Sequence, residues 1–311
     1  MITGEAPYTG TGSGPAPRVR RLLRQRVEYL RATLAPERPL RIVDVGANPV
    51  NTPDYDMLLE MGGCEVWGFE PEAKAFAALE AKPRPGAHYI NTAVGAPGKG
   101  SFYQHPQNGL GSLYPIRKES VEFLGHAGWH REGIEAAEID LVALDDLDDL
   151  PQPDLLKIDI QGGELDVIGN AREKLSQAVC VIPEVRFYRM YEGEPLWGKL
   201  DVELHNQGFV LHKMLFTKPT MIANSQAGRL KGRAVRSQLI DGDAVYIRNL
   251  EVPQAWSDEQ LKQLAIAAAG VFSSIDLTLH CLDRLSDRGA IGPDVAEGFV
   301  DTLPGWTKSA E

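Results

Sequence analysis

Short apolar runs alternate with stretches of helical period through the middle of the chain. The apolar runs predict strands at 41–45, 65–69, 88–94, 154–160 and 178–183, and final strands at 209–216 and 244–247. Helical stretches fit between them, at 54–61, 72–81, 164–175 and 196–206. Repeated strand–helix units are typical of a mainly parallel sheet. The sequence therefore predicts an α/β fold with a Rossmann-like, doubly wound sheet over residues 40–250.

The sequence outside this region has a different character at each end. Residues 1–17 are rich in Gly, Thr and Pro, which is typical of a disordered leader. Residues 18–39 begin with a helical pattern that carries six arginines. This basic amphipathic helix either packs on the main domain with a solvated arginine face or contacts a membrane or an acidic partner.

The C-terminal part, residues 251–311, is predicted to be a helical appendage. Residues 256–288 and 294–303 have helical period, and Ser257 is in place to cap the first of these helices. We expect the appendage to pack against the sheet domain or against a second subunit. A long insertion at 98–150 separates the third and fourth core strands, where insertions in α/β enzymes often cover the active site.

Composition excludes several classes of protein. The chain has 311 residues and a net charge of -11, which would repel a phosphate backbone, so nucleic acid is not an expected partner. Three widely spaced cysteines build neither a disulfide framework nor a Cys-x-x-Cys metal site. No targeting segment is visible, and the best apolar run, 264–275, is too short to span a bilayer. We therefore expect a cytoplasmic protein.

The first predicted strand ends in Asp44 and a glycine turn that contains Gly46 and Asn48. In an open parallel sheet, ligands bind beyond the carboxyl ends of the strands. A dinucleotide site would need Gly-x-Gly-x-x-Gly for close approach to a pyrophosphate, and the turn lacks the later glycines. S-adenosylmethionine (SAM) has a ribose, an adenine and an amino-acid tail but no phosphate, so its binding does not require these later glycines.

Two more strand ends carry acidic residues. Glu70 ends the second strand, 24 residues after Gly46, near the spacing at which a carboxylate hydrogen-bonds ribose hydroxyls. Asp159 ends a strand above the Gly162–Gly163 turn, where it either pairs with Lys157 or faces a ligand. Together these segments favour a nucleoside-binding site.

Five motifs in order make the chain resemble the FkbM-type SAM-dependent methyltransferases, from about residue 40 to about residue 249. They are Asp-Val-Gly-Ala-Asn at 44–48, Gly-Phe-Glu-Pro at 68–71, Asn-Thr-Ala-Val-Gly at 91–95, Leu-Asp-Asp-Leu at 144–147 and Lys-Ile-Asp-Ile-Gln-Gly-Gly-Glu at 157–164. The resemblance implies a sheet of the class I methyltransferase type and SAM as cofactor. It also implies O-methylation of a hydroxyl on a sugar, polysaccharide or secondary metabolite.

The resemblance further implies a set of cofactor-binding residues: Asp44, Gly46, Asn48, Glu70, Asn91, Ala93 and Asp159. In this interpretation the first three shape the methionine end of the site and Glu70 holds the ribose. Asn91 and Ala93 lie near the adenine, and Asp159 and Glu164 lie beside the transferred methyl group. Ser112 and Tyr114 belong to a further segment near the cofactor.

Methyl transfer to a hydroxyl needs alignment and a base for the hydroxyl proton. Asp159, Glu184 and His126 are the expected catalytic residues, with His105 and His130 as further candidates for the base. We expect no metal site, because the acidic run at 140–149 lacks the glycine and glutamate of a calcium loop. The alternatives are a nicotinamide-dependent oxidoreductase of the same fold and a non-catalytic nucleoside-binding scaffold.

Overall fold

The computed structural model describes residues 17–49, 51–106, 109–252 and 255–308. The predicted leader, apart from residue 17, lies outside these ranges. The strands are β1 (Leu40–Val45), β2 (Cys64–Phe69), β3 (Ala87–Ile90), β4 (Ala93–Val94), β5 (Gly98–Tyr103), β6 (Ala136–Val142), β7 (Leu155–Ile158), β8 (Cys180–Arg186), β9 (Phe209–Thr220) and β10 (Gln238–Arg248). The α-helices are α1 (Pro17–Leu34), α2 (Asp56–Glu60), α3 (Ala73–Glu80), α4 (Lys118–Phe123), α5 (Glu164–Gly169), α6 (Trp197–Asn206), α7 (Gly232–Val235), α8 (Asp258–Gly270), α9 (Ile275–Asp287) and α10 (Val295–Asp301).

Seven strands form the central sheet in the order β3-β2-β1-β7-β8-β10-β9. Neighbours from β3 to β8 are parallel, whereas β10 is antiparallel to both β8 and β9. The prediction of a mainly parallel, doubly wound sheet is confirmed. The strand order reverses between β1 and β7, so their carboxyl ends open a crevice of the kind in which α/β proteins bind ligands.

The alternation of apolar residues along β1 explains the layers on the two faces of the sheet. Ile42 belongs to a buried cluster with Val27 of α1 and Leu264 of α8. Val43 points to the opposite face, into a cluster with Val167 of α5 and Leu204 of α6. The burial of both faces gives a three-layer arrangement and leaves the carboxyl-end edge of the strands for polar groups.

The predicted strand at 88–94 was wrong as a single element. The structure divides it into β3 of the central sheet and β4 of a second sheet, of order β4-β6-β5, that belongs to the insertion. Asn91 lies at the break, and its side-chain amide donates to the carbonyl oxygens of Glu70 at 2.8 Å and Pro71 at 3.2 Å. These bonds tie the turn to the end of β2, so the chain leaves the sheet here.

The predicted helix at 164–175 is also shorter in the structure. It ends at Gly169, and a separate 3-10 turn, Lys174–Gln177, follows. Gly169 and Asn170 are poor helix formers, which explains the early end.

The terminal helices pack on the same face of the central sheet. Ser257 caps α8 in a full capping box with Gln260, as predicted. The stretch predicted as helical at 256–288 is interrupted between α8 and α9, where Ser273 has a φ of +48°. The two flanking helices belong to the buried cluster that also contains α1. The domain limits at residues 17, 39 and 250 stay predictions.

Arg20 and Arg31 of α1 bind the rest of the chain. Arg20 forms ion pairs with Asp56 at 3.3 Å and Glu60 at 2.5 Å, and Arg31 donates to the carbonyl oxygens of Met61 and Gly62. This face of the helix therefore packs on α2 and its C-terminal turn. In the described part of the chain, every helix is too short or too polar to cross a lipid bilayer.

Candidate functional site

Backbone hydrogen bonds bring the ends of three strands together at one edge of the sheet. The carbonyl oxygen of Phe69 accepts from the N–H groups of both Gly46 and Ala47 at 3.0 Å. The N–H of Asp159 donates to Val45 at 3.0 Å. The glycine turn, Glu70 and Asp159 therefore meet at the carboxyl ends of β1, β2 and β7, where the sequence predicts a ligand.

Gly46 is required at this turn. Its φ is +93°, a backbone conformation that residues with a Cβ rarely adopt. A Cβ at this position would also overlap the carbonyl oxygen of Asp159. The close approach of the two loops, and with it the shape of the crevice, therefore depends on glycine.

Asp44 is buried at the base of the crevice, with 3% of its surface exposed. The hydroxyl of Tyr55 donates to Asp44 Oδ2 at 2.5 Å, and Lys157 Nζ lies 3.6 Å from Oδ1. Oδ1 accepts no hydrogen bond from the residues that the structure describes. One carboxylate oxygen of Asp44 is therefore fixed, and the other has acceptor capacity to spare.

A cavity of about 500 Å³ opens at this point. Four of the predicted cofactor residues line it: Asp44, Gly46, Asn48 and Asp159. The loop before α2, the turn after α8 and parts of α3 and β9 also contribute to its wall. The volume is within the range of small-molecule sites, about 300–1,000 Å³.

The cavity also contains charged residues that sequence reasoning missed. Asp54 comes from the loop before α2, and Lys213 and Asp243 come from β9 and β10. Burial raises the pKa of Asp54 to about 7, an effect that Lys157 opposes and to which Asp243 and Asp44 add. The described lining carries basic side chains as well as carboxylates, so it can meet both signs of charge on a zwitterionic ligand.

Glu70, Asn91 and Ala93 lie at the adjoining strand ends and are not part of the cavity lining. The Glu70 carboxylate accepts from the N–H of Glu72 at 2.8 Å, and burial raises the pKa of Glu70. Asn91 holds the end of β2 through the bonds described above. Ala93 is buried in β4 and pairs with Leu141.

Gln161 connects the predicted catalytic carboxylates. Its Nε2 donates to Asp159 Oδ1 at 3.0 Å and to Glu184 Oε2 at 2.9 Å. Its Oε1 accepts from Arg186 at 3.2 Å and from the Tyr191 hydroxyl at 3.3 Å. Gln161 has a φ of +60°, which is uncommon for a residue with a side chain. The structure thus brings Asp159 and Glu184 together through one amide.

Arg186 lies inside this cluster and is surrounded by carboxylates. It forms ion pairs with Glu184 at 3.0 Å, Glu194 at 3.3 Å and Asp241 at 2.9 Å. Burial raises the pKa of Glu184 well above its usual range, although Arg186 opposes the shift. Because Glu184 Oε2 already accepts from Gln161 and Arg186, that oxygen is not free to take a proton from a ligand. Arg186 is therefore paired with local carboxylates.

Glu164 supports the loop that follows β7. Its carboxylate accepts from the N–H of Ile160 at 3.0 Å and from the N–H of Gly162 at 2.9 Å. Burial raises the pKa of Glu164, and Arg186 lowers it. The contacts of this side chain are thus with the backbone of the loop that carries Asp159 and Gln161.

His126 lies apart from the two carboxylates. Its Nε2 lies 3.0 Å from the Thr220 hydroxyl, and its ring stacks on Trp129 at a centroid distance of 4.0 Å. Burial lowers the pKa of His126, and Lys218 adds to this effect. His126 makes no hydrogen bond with Asp159 or Glu184, so its catalytic assignment stays a prediction.

The family model of the methyltransferase FkbM domain matches residues 44–211, more than half of the chain. The chain belongs to the FkbM methyltransferase family. This confirms the resemblance carried by the five motifs. The protein is accordingly a SAM-dependent methyltransferase, and SAM is its cofactor. A search of curated proteins finds no match.

Solved structures of other methyltransferases are similar to this FkbM family member over much of their length. Magnesium protoporphyrin IX methyltransferase from Synechocystis PCC 6803 with bound SAM is 12% identical, with 76% of this chain and 87% of that chain covered and a TM-score of 0.34. TYW2 from M. jannaschii in complex with AdoMet is 13% identical, with coverages of 72% and 75% and a TM-score of 0.30. A SAM-dependent methyltransferase from Aquifex aeolicus is 9% identical, with coverages of 75% and 94% and a TM-score of 0.28. With TM-scores this low, the function is assigned from the family model and not from these structures.

The cavity of this FkbM methyltransferase contains groups that fit SAM. Gly46 allows the turn to approach the Asp159 backbone closely, and Asp44 Oδ1 has unused acceptor capacity. SAM carries a sulfonium and an ammonium, which acidic side chains favour, and a carboxylate, which basic side chains favour. Among the described residues, no group of three or more His, Cys, Asp or Glu side chains is arranged to hold a metal ion.

Proposed function

We propose that the protein is an O-methyltransferase that modifies a hydroxyl on a sugar, a polysaccharide or a secondary metabolite. The observation that carries the proposal is the state of the Asp159 carboxylate at the edge of the 500 Å³ cavity. Oδ1 is held by Gln161, whereas Oδ2 has no hydrogen-bond partner among the described residues. Asp159 is half-buried and so combines a fixed orientation with access to a ligand.

The cofactor roles proposed for the other residues follow from their positions. Asp44, at the base of the cavity, would bind the ammonium of SAM. Gly46 and Asn48 form the turn on which the methionine end would lie, and Glu70 would bind the ribose hydroxyls. Asn91 and Ala93 would border the adenine at the ends of β3 and β4.

When bound, SAM supplies an activated methyl group, whose transfer to the acceptor oxygen forms a C–O bond as the C–S bond breaks. Asp159 would accept the proton that the hydroxyl loses, because its Oδ2 is the unengaged oxygen beside the cavity. A general base must lie within hydrogen-bond reach of the proton it takes. Gln161 contributes by fixing the carboxylate plane of Asp159, and Glu164 contributes by fixing the loop.

Glu184 and His126 are weaker candidates for the base. The Oε2 of Glu184 is already engaged by Gln161 and Arg186. His126 is bound to Thr220 and does not line the cavity. Both remain predicted catalytic residues, and the experiment below tests whether either of them is the base.

A transfer assay with methyl-tritiated SAM tests the proposal. Wild-type protein is incubated with a panel of hydroxyl-bearing acceptors, and the label is recovered as a methyl ether that resists mild alkali. Asp159→Asn should lower kcat by about 100-fold or more, since general base catalysis contributes about 10²–10⁴-fold. A larger loss in Glu184→Gln or His126→Gln than in Asp159→Asn would move the base to that residue. Label recovered only on nitrogen, sulfur or carbon would refute O-methylation.

The remaining sequence-based predictions concern where and how the enzyme acts. We propose a small-molecule or glycan acceptor, as expected for hydroxyl chemistry. Action in the cytoplasm and a homo-oligomer formed through the C-terminal helices stay predictions. Size-exclusion chromatography with light scattering checks the second of these.

A further inference from the structure

The connection between β9 and β10, residues 221–237, extends from the carboxyl-end edge of the central sheet. β10 pairs with β8 so that Asp241 lies opposite Arg186, the last residue of β8. The connection therefore leaves the sheet at the edge that carries the cofactor cavity. Its base is closed by the N–H of Ser237, which donates to the carbonyl oxygen of Thr220 at 3.1 Å. Neither the proposed cofactor site nor the proposed transfer step uses this segment.

The charge of this segment is opposite to that of the whole chain. Residues 221–237 contain four basic residues and no acidic residue, whereas the net charge of the chain is -11. The basic residues, all of them exposed, are Arg229, Lys231, Arg233 and Arg236. Within the described ranges, no acidic side chain pairs with any of the four. We call residues 221–237 the basic loop, and its charges are available to an anionic partner.

Exposed apolar side chains accompany these cations. Four of them, in the basic loop or just after it, are Ile222, Leu230, Val235 and Leu239, each 37–44% exposed. Phe123 at the end of α4 is 42% exposed, and its carbonyl oxygen accepts from the N–H of Ala223 at 2.8 Å. These five make up most of the large apolar side chains that are exposed in the described part of the chain. Charge and apolar surface are therefore concentrated in one segment.

Cations interleaved with aliphatic side chains suit the surface of an anionic lipid bilayer. The basic residues gain from the negative surface potential, and the aliphatic side chains gain from burial at the boundary between headgroups and acyl chains. Single-stranded nucleic acid is bound by stacking on aromatic side chains, which the basic loop lacks. Protein interfaces are anchored mainly by Trp, Tyr and Arg, and Leu and Val are under-represented among their anchors. The aliphatic residues therefore favour lipid over these other anionic partners.

We propose that the basic loop docks the protein on an anionic lipid bilayer. Docking through this loop turns the carboxyl-end edge of the sheet, and with it the mouth of the cofactor cavity, toward the lipid surface. The inference goes beyond the proposed function and is independent of the chemistry of the acceptor. The basic helix α1 is less suited to this role, because Arg20 and Arg31 are engaged by the rest of the chain.

Co-sedimentation of the full chain with lipid vesicles tests the proposal. One set of vesicles is phosphatidylcholine alone, and the other contains equal parts of phosphatidylcholine and phosphatidylglycerol. We expect binding to the anionic vesicles to be at least tenfold tighter and to weaken as salt is added. Arg233→Gln combined with Arg236→Gln should weaken it about 20-fold, since each basic residue near an anionic surface contributes about fivefold. Leu230→Ser should weaken it at least threefold through the loss of apolar burial.

Matched controls remove the same kinds of group elsewhere. Arg21→Gln combined with Arg24→Gln removes two cations from α1, and Val202→Ser removes an apolar side chain on α6 that is 58% exposed. Both controls should bind the anionic vesicles within threefold of the wild type. The affinity for S-adenosylhomocysteine (SAH) should stay within twofold in every variant, because none of the replaced residues lines the cofactor cavity.

Three results would overturn the proposal. The first is no binding to vesicles, or equal binding to the two kinds of vesicle. The second is a loss in the α1 variant as large as that in the basic-loop variant, which would assign the contact to α1. The third is a loss in the arginine variant with no loss in Leu230→Ser, which would indicate an acidic protein or another polyanion in place of a bilayer.

Discussion

Gln161 donates a hydrogen bond to Asp159 Oδ1 at 3.0 Å, and this bond determines which oxygen of Asp159 is available in the cavity. The second hydrogen of the same amide group binds Glu184 at 2.9 Å. Both hydrogens of the amide nitrogen are therefore used between two carboxyl groups. The amide of Gln has two N–H donors and can donate to both carboxyl groups at once, whereas the carboxyl group of Glu cannot.

Gln161→Glu should therefore destabilise the protein in a pH-dependent way. The neighbouring Asp159 and Glu184 raise the pKa of the new carboxyl in the folded state, although Arg186 opposes this. The destabilisation is then small at low pH. It grows to about 1–3 kcal/mol as the pH rises from the pKa of this carboxyl in the unfolded chain to its higher pKa in the folded state. Urea unfolding at pH 5 and pH 8 measures it.

Gln161→Met is the matched control, because it removes the same hydrogen bonds without adding a charge. Its loss of stability should differ less between the two pH values. Equal pH dependence in the two variants would mean that the charge at position 161 is unimportant.

Gly46→Ala should abolish SAH binding and destabilise the fold. The new Cβ would collide with the carbonyl oxygen of Asp159 and would also strain a backbone with a φ of +93°. Gly62→Ala separates these two effects, because Gly62 has a φ of +61° and open space around its Cβ position. We expect the control to lose about 1 kcal/mol and to retain SAH affinity, and Gly46→Ala to lose more. Calorimetric titration with SAH and urea unfolding of both variants check this. Equal losses of affinity and stability in the two variants would exclude the collision with Asp159 as the cause.

Tyr55→Phe should weaken both the fold and the cofactor site. It removes the hydroxyl that donates to Asp44 at 2.5 Å and leaves a buried carboxylate with one partner fewer. The expected loss of stability is about 1–3 kcal/mol. Tyr89→Phe is the control in the same cavity, since the Tyr89 hydroxyl makes no hydrogen bond with any described residue. Similar SAH affinities in the two variants would show that Tyr55 does not position Asp44.

The affinity for SAM should increase as the pH rises from 6 to 8. Because burial raises the pKa of Asp54 to about 7, its ionised form predominates only above that pH. The ionised form attracts the sulfonium of SAM, whereas SAH lacks that charge and should show a smaller change. Titrations of both ligands at several pH values measure the difference. Asp54→Asn should remove most of the pH dependence of SAM affinity. An unchanged pH profile in this variant would exclude Asp54 as the group that titrates.

The sequence was sufficient to predict the sheet and the residues that follow its parallel strands. Asp44, Gly46 and Asp159 end or follow short apolar runs, and parallel strands place such residues at one edge. Asp54 was missed because its high pKa depends on burial, which a local pattern does not reveal. Asp243 was missed because it enters the site from the antiparallel strand β10, more than 80 residues beyond Asp159.

The division of residues 88–94 between two sheets has a similar cause. Both halves of the segment are apolar, and the break depends on the bonds that the Asn91 side chain makes to the carbonyl oxygens of Glu70 and Pro71. Such long-range bonds to backbone groups leave no periodic signal. The position of His126 likewise depends on its packing against Trp129 and on β9.

The most direct test of the central claim, that SAM binds at the carboxyl ends of β1, β2 and β7, is calorimetric titration of SAH into wild-type protein and Asp44→Asn. Co-purified ligand is removed first, and folding is checked by circular dichroism. We predict micromolar binding to the wild type, at least tenfold weaker binding to Asp44→Asn, and no binding of NAD to either. Equal SAH affinity in the two proteins, or binding of NAD in place of SAH, would contradict the account.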